Sequence, residues 1–236
     1  MKNSIWISPL VAMMFVLVLT NSFINNDKSK TAPTGLATSA VSDITTTTVS
    51  SDLNVTISNQ EWALKNLDVT KYRNGDIIPQ VTDATQWAGL TTGAWCYYNN
   101  DSANAAVYGK LYNWYAVNDA RGLSPLGWHI PTDAEWATLI TFLGGESVAG
   151  GKMKATTLWN SPNTGATNES DFTGLPGGYR GSSGAFNRIG GNGYWWSSSE
   201  YSALSAWSRY LGCYYSSIGR DYDGERFGES VRCLRD

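Results

Sequence analysis

The stretch GGYRGSSGAFNRIGGNGYWWSSSE, Gly177 to Glu200, decides how the second half of the chain is read. Glycines at this density suit backbone positions that other residues rarely adopt, and no apolar residue recurs between them at helical spacing. A phosphate loop needs its glycines directly before a helix, with a Lys after them, so that N–H groups and an ammonium converge on the anion. "GSSGAF" has neither. The stretch reads as long loops between short strands, with Tyr194-Trp195-Trp196 leading into the terminal strands. In an extended segment Trp195 and Trp196 face opposite ways, one inward and one outward.

Working outward, "PTDAEWATLITFLGG", Pro131 to Gly145, carries the strongest local signal. Thr132 followed by Glu135 forms a capping box, Trp136, Leu139, Ile140 and Leu143 line one face, and Gly144 supplies the stop. A helix is expected from Asp133 to Leu143. In "YGKLYNWYAVNDARG", Tyr108, Leu111, Tyr112 and Tyr115 recur at helical spacing and predict a second helix before Gly122. "TDATQWAGL" predicts one short helical turn, and "VTISNQEWALKNL" a strand or hairpin. In the tail, Asp223-Gly224 between two possible strands predicts a hairpin turn. Few helices followed by paired terminal strands give an α+β class.

The chain of 236 residues is 42% apolar and 13% aromatic, enough for one well-buried domain. Seventeen basic against twenty acidic residues give a net charge of −3 with no basic run. The electrostatic footprint of a nucleic-acid binder is absent. Residues 1–22 read as a signal peptide: Lys2, the apolar run Leu10 to Leu19, then Thr20-Asn21-Ser22. A membrane would be met only through an uncleaved leader. Residues 23–54 have the Thr/Ser-rich composition of a linker or a fibronectin-like remnant, and the domain spans residues 55–236. Export to an oxidising compartment makes one disulfide plus one thiol the natural arithmetic for Cys96, Cys213 and Cys233, with three connectivities open.

No complete catalytic constellation is present. His129, the single histidine, sits beside the helix cap in "GWHIPT" without an identifiable nucleophile, and reads as a packed or hydrogen-bonded residue. "DYDGE", Asp221 to Glu225, clusters oxygen ligands, but its glycine falls too early for an EF-hand loop. Calcium held by scattered oxygens such as Asp101, Asp171 and Glu200 stays open, and no metal ligand set is assigned. Glycan binding has the better physical basis, because aromatic faces stack on sugar C–H surfaces while polar side chains take the hydroxyls. The candidates are Trp195, Trp196, Tyr214 and Tyr215, with Glu200 and Arg180 as polar partners; Trp95, Tyr97 and Tyr98 form a second aromatic group.

Eight ordered motifs, "YRNGDIIP", "WCYYNND", "YGKLYNWYAV", "GWHIPTDAEW", "GGKMK", "LPGGYRG", "GYWWSSSE" and "SVRCLRD", resemble the Fibrobacter succinogenes major paralogous domain, found in secreted and surface proteins. That family is similar to the formylglycine-generating enzymes, whose fold is a variant of the C-type lectin fold. The resemblance implies an α+β, C-type-lectin-like domain with two main helices on short twisted antiparallel strands and long loops. It implies a Cys96–Cys233 disulfide, because both residues lie in family motifs, and an apolar residue where Glu229 stands. Cys213 matches the first copper cysteine of those enzymes, but Ile218 occupies the second position, and a soft Cu(I) site needs both thiolates. The calcium signatures of C-type lectins are also missing.

The sequence therefore points to a secreted or surface-displayed, non-enzymatic module for a glycan or a surface protein, with no cofactor assigned. The alternatives are a structural surface component and a formylglycine-generating-like oxidase.

Overall fold

A computed structural model describes residues 54–236. The expected leader and linker, 1–22 and 23–54, lie outside the described residues apart from Asn54. Along the chain run β1 (Asn54–Ile57), β2 (Gln60–Ala63), α1 (Ala84–Ala88), β3 (Trp95–Cys96), α2 (Ala105–Tyr108), β4 (Leu111–Tyr112), α3 (Trp114–Val117) and β5 (Trp128–His129). Then follow α4 (Asp133–Phe142), α5 (Glu146–Met153), β6 (Tyr179–Arg180), β7 (Phe186–Asn187), β8 (Asn192–Ser202), β9 (Ser205–Gly212), β10 (Ile218–Gly224) and β11 (Leu234–Arg235).

The α+β, C-type-lectin-like expectation is overturned. Strand accounts for 30% and helix for 20%, and the strands form several small antiparallel sheets. Among the helices of the described residues only α4 and α5 exceed five residues. The main cause is local: the aromatic stripe from Tyr108 to Tyr115 is no helix. Gly109, at φ 74° and ψ −155°, turns the chain out of α2, and a Cβ there would sit 2.9 Å from the Leu67 carbonyl. Leu111 and Tyr112 then pair with β3, and Asn113 caps the separate turn α3. Two short segments and one strand pair together mimic the helical period.

Other local signals appear where expected. β1 and β2 form the hairpin, with Val55 opposite Trp62, and β11 and β5 complete the sheet in the order β1-β2-β11-β5. α4 starts at a full capping box: Glu135 N–H donates to Thr132 Oγ1 at 3.2 Å, and Thr132 N–H donates to Glu135 Oε2 at 2.7 Å. Its buried Trp136, Leu139 and Ile140 pack with Ala149 and Met153 of α5.

The largest sheet, β10-β9-β8, has two faces of different character. Trp195, Leu211 and Ile218 join the cluster containing Trp136 and Leu139, while Trp196 and Ala206 join a second cluster containing Tyr112 and Trp114. The hairpin turn expected at Asp223-Gly224 is not a turn. Both residues lie in β10, opposite Ala206 and Ser205, and the β9–β10 connection falls at 213–217.

Long loops leave many carbonyls without ladder partners, and buried cations cover them. Lys154, with no exposure, donates to the carbonyls of Thr164, Gly212 and Tyr215 at 2.8, 3.0 and 2.7 Å. Arg180, equally buried, reaches the carbonyls of Gly184, Val81 and Thr82 at 3.0, 2.6 and 2.9 Å. Arg232 does the same for Ala63, Leu64 and Phe172. A guanidinium offers five N–H donors in a fixed fork, so one side chain can pin several loop segments at once.

The implied Cys96–Cys233 disulfide is not formed. All three cysteines are free and buried, and each lies in a different apolar cluster. Burial pushes the Cys96 and Cys233 thiols up to about 12, which keeps them protonated and inert. Native protein should therefore leave a thiol reagent such as Ellman's unreacted, with three equivalents reacting after denaturation; fewer than three on unfolding would reveal a disulfide.

Candidate functional site

Three strands bring together aromatic residues that are far apart in sequence. At the end of the β8–β9 hairpin, Tyr201, Trp207 and Tyr222 come from β8, β9 and β10, and Trp207 stands directly opposite Tyr222 in the ladder. Tyr201 and Tyr222 stack at 4.1 Å and 16°, and Trp207 meets Tyr201 edge-on at 4.6 Å and 73°. Tyr201 and Tyr222 are 46% and 51% exposed, and Leu204 at the hairpin tip is 77% exposed. The result is a contiguous aromatic surface on a paired scaffold.

That surface is braced from one side by charge. Arg220 lies over the Trp207 ring at 3.3 Å and grips Asp133 through two hydrogen bonds of 3.0 and 2.8 Å. Buried Arg209 approaches the same carboxylate at 2.7 Å. Burial alone would raise the Asp133 carboxyl, but the Arg220 hydrogen bonds and the Arg209 charge outweigh it and hold it below the usual value. Asp133 is the first residue of α4, so this network ties the helix start to the sheet beneath the rings.

Most of the residues expected from sequence fall elsewhere. Trp195 and Trp196 are both buried, at 1% and 0% exposure, with their N–H groups donated to Asn66 Oδ1 and to the Tyr112 carbonyl. The split between an inward and an outward tryptophan does not occur, because both faces of β8 are covered there. Arg180 is a structural cross-link, its guanidinium between Trp87 and Phe186 at 4.4 and 4.8 Å. Tyr214 and Tyr215 are exposed, but they sit in the β9–β10 connection, at the end of β9 away from the β8–β9 hairpin. Glu200 is exposed and next to Tyr201 in β8. Of the second aromatic group, Trp95 and Tyr98 are buried.

Glu229, for which an apolar residue was implied, is fully buried. His129 bridges Glu135 and Asp236 at 3.0 and 2.8 Å, a hydrogen-bonded role at the helix cap. Among the described residues no three His, Cys, Asp or Glu side chains converge as a metal group. Sequence reading missed Tyr201, Trp207 and Tyr222. The alternation in "SAWSRY" and "GRDYDG" carries the signal for the last two, but a turn placed at Asp223-Gly224 hides it.

Comparison with known proteins gives one match: the family model described as the Fibrobacter succinogenes major domain aligns with residues 55–235. No curated protein and no solved structure matches.

Proposed function

This chain belongs to the Fibrobacter succinogenes major domain family, and from that premise we propose a secreted or surface-displayed, non-enzymatic module that binds a glycan on Tyr201, Trp207 and Tyr222. The observation that carries this reading is the joint exposure of the stacked rings on a rigid three-stranded sheet. Sugar rings present C–H faces that pack on aromatic rings, and preordered rings lose little entropy on binding. The leader-like start of the sequence supports a place outside the cell.

The oxidase alternative finds little support. Cys213 and Ile218 are each 2% exposed in one apolar cluster, a setting with a single thiolate donor and no access. A protein partner is the second reading, favoured by Leu204 standing exposed beside the rings.

Electrophoresis of the domain through gels containing soluble plant and bacterial polysaccharides tests the proposal. Retardation by at least one polysaccharide is expected, with Trp207→Ala and Tyr222→Ala each weakening it about tenfold, the scale of one lost aromatic contact. Retardation that survives both substitutions rejects the aromatic surface as its site, and none with any polysaccharide rejects the glycan reading.

A further inference from the structure

A cavity of about 340 Å³ opens on the other side of the sheet that carries the aromatic surface. Trp114 forms one wall. Its indole N–H donates to the Ser197 carbonyl of β8 at 3.0 Å, and its ring belongs to the cluster of Trp196 and Ala206 rather than to that of Trp195. The cavity is thus separate from the aromatic surface, and its volume lies at the small end of ligand pockets, room for one ring rather than a chain.

Its polar groups divide into committed and uncommitted sets. Arg121 grips Asp119 through a fork of 2.8 and 2.7 Å, reaches Asp76 at 3.3 Å and lies over the Tyr72 ring at 4.0 Å. Those Arg121 hydrogen bonds hold the Asp119 carboxyl down at about 2. Three of the five guanidinium donors are engaged and its charge is balanced by two carboxylates, which disfavours an anion in the pocket. Glu225, Asn118, Thr91 and Thr92 also line it; the Glu225 carboxylate accepts from the Tyr115 phenol, and the Asn118, Thr91 and Thr92 side chains are exposed. Tyr115 contributes a half-buried ring beside Glu225, and burial followed by the Glu225 charge raises its phenol, keeping it a donor.

We propose that this pocket binds a single neutral pyranose, as a terminal residue or side branch. The Glu225 carboxylate, beside the Tyr115 phenol, keeps acceptor capacity for a hydroxyl, an amide and two threonine hydroxyls both donate and accept, and Tyr115 offers an aromatic edge; vicinal diols on an apolar ring satisfy that set. The assignment extends the glycan reading without depending on Tyr201, Trp207 or Tyr222. The domain then carries two sites on opposite faces of β8, one for an extended chain and one for a ring.

Titration of the full chain with methyl glucoside, methyl galactoside, methyl mannoside and N-acetylglucosamine, followed by ligand-observed NMR, tests it. Saturable binding of at least one is expected. Glu225→Gln and, independently, exposed Asn118→Ala should weaken it roughly tenfold, the scale of a lost charged or neutral hydrogen bond. Tyr222→Ala should leave it unchanged while weakening polysaccharide retention about tenfold, which separates failure of this site from failure of the aromatic surface. The proposal is overturned if no probe saturates, or if both pocket variants bind like the parent.

Discussion

Replacing Arg232 with Met lowers the melting temperature by roughly 10 °C, the equivalent of about 4 kcal/mol in a domain of this size. Arg232 has no solvent exposure and spends its guanidinium on four acceptors. Nη1 donates to the carbonyls of Ala63, Leu64 and Phe172 at 3.0, 3.0 and 2.8 Å, while Nε and Nη2 donate to Asn66 Oδ1 at 3.1 and 3.0 Å. The same Asn66 oxygen accepts the Trp195 indole N–H at 2.8 Å. A methionine fills the volume and avoids the desolvation of a charge, yet leaves three buried carbonyls unpaired. Burial pulls the Arg232 pKa down to about 9, so the group is still charged at neutral pH. Arg232→Lys keeps the charge but only three donors without the fork, and should recover about half of the loss. Equal melting of Arg232→Met and the parent would show that the carbonyls are covered some other way.

The second large effect is a dependence of stability on pH that runs opposite to ordinary acid denaturation. Glu229 is fully buried and neither of its oxygens meets an N–H or O–H donor among the described residues. Its neighbour is the Asp223 carboxyl, which accepts from Ser208 Oγ at 3.0 Å. Burial first, then the facing Asp223 charge, push Glu229 well above the carboxylate range, and burial pushes Asp223 up as well. Two such carboxyls with no cation between them are compatible only when they share a proton.

In the unfolded chain both groups have released their protons above about pH 5. The native state then binds more protons than the unfolded state, so stability falls as pH rises, by up to about 1.4 kcal/mol per pH unit per proton, until the native pair ionises. Asp119, Asp133 and Glu135 act in the other sense. Their folded values are depressed, so their contribution is present above the unfolded carboxylate range and is lost as pH falls through the folded values. Maximum stability should lie on the mildly acidic side of neutrality. Glu229→Gln supplies a permanent N–H donor to Asp223 and removes the alkaline slope, so denaturant unfolding at pH 5 and pH 9 should show it gaining on the parent at the higher pH. Parallel pH profiles for the two proteins contradict the shared proton.

What was legible in the sequence was local. The capping box at Thr132 and Glu135 lies within one turn, and the β1–β2 hairpin within ten residues, so neighbours alone determine them. The stripe at Tyr108 to Tyr115 misled because apolar spacing does not register that Gly109 must pass within van der Waals contact of residues 66 and 67. Asp223-Gly224 has the chemistry of a turn, but Asp223 is recruited by Ser208 and Glu229, and the chain reverses instead where Lys154 gathers the Gly212 and Tyr215 carbonyls. Arg180 and Arg232 could not be assigned as cross-links, because most of their acceptors lie about a hundred residues or more away. The same holds for the candidate site: Tyr201, Trp207 and Tyr222 become one surface only through the register of three strands.

Hydroxyl-radical footprinting of the chain with and without a retained polysaccharide, read residue by residue by mass spectrometry, tests the glycan-binding surface most directly. In the free protein Tyr201 and Tyr222 should oxidise readily while Trp195 and Trp196 stay silent. On binding, Tyr201, Trp207 and Tyr222 should become protected together, with Tyr214 and Tyr215 unchanged. Protection confined to Tyr214 and Tyr215, with Tyr201 and Tyr222 as reactive as before, would contradict the account.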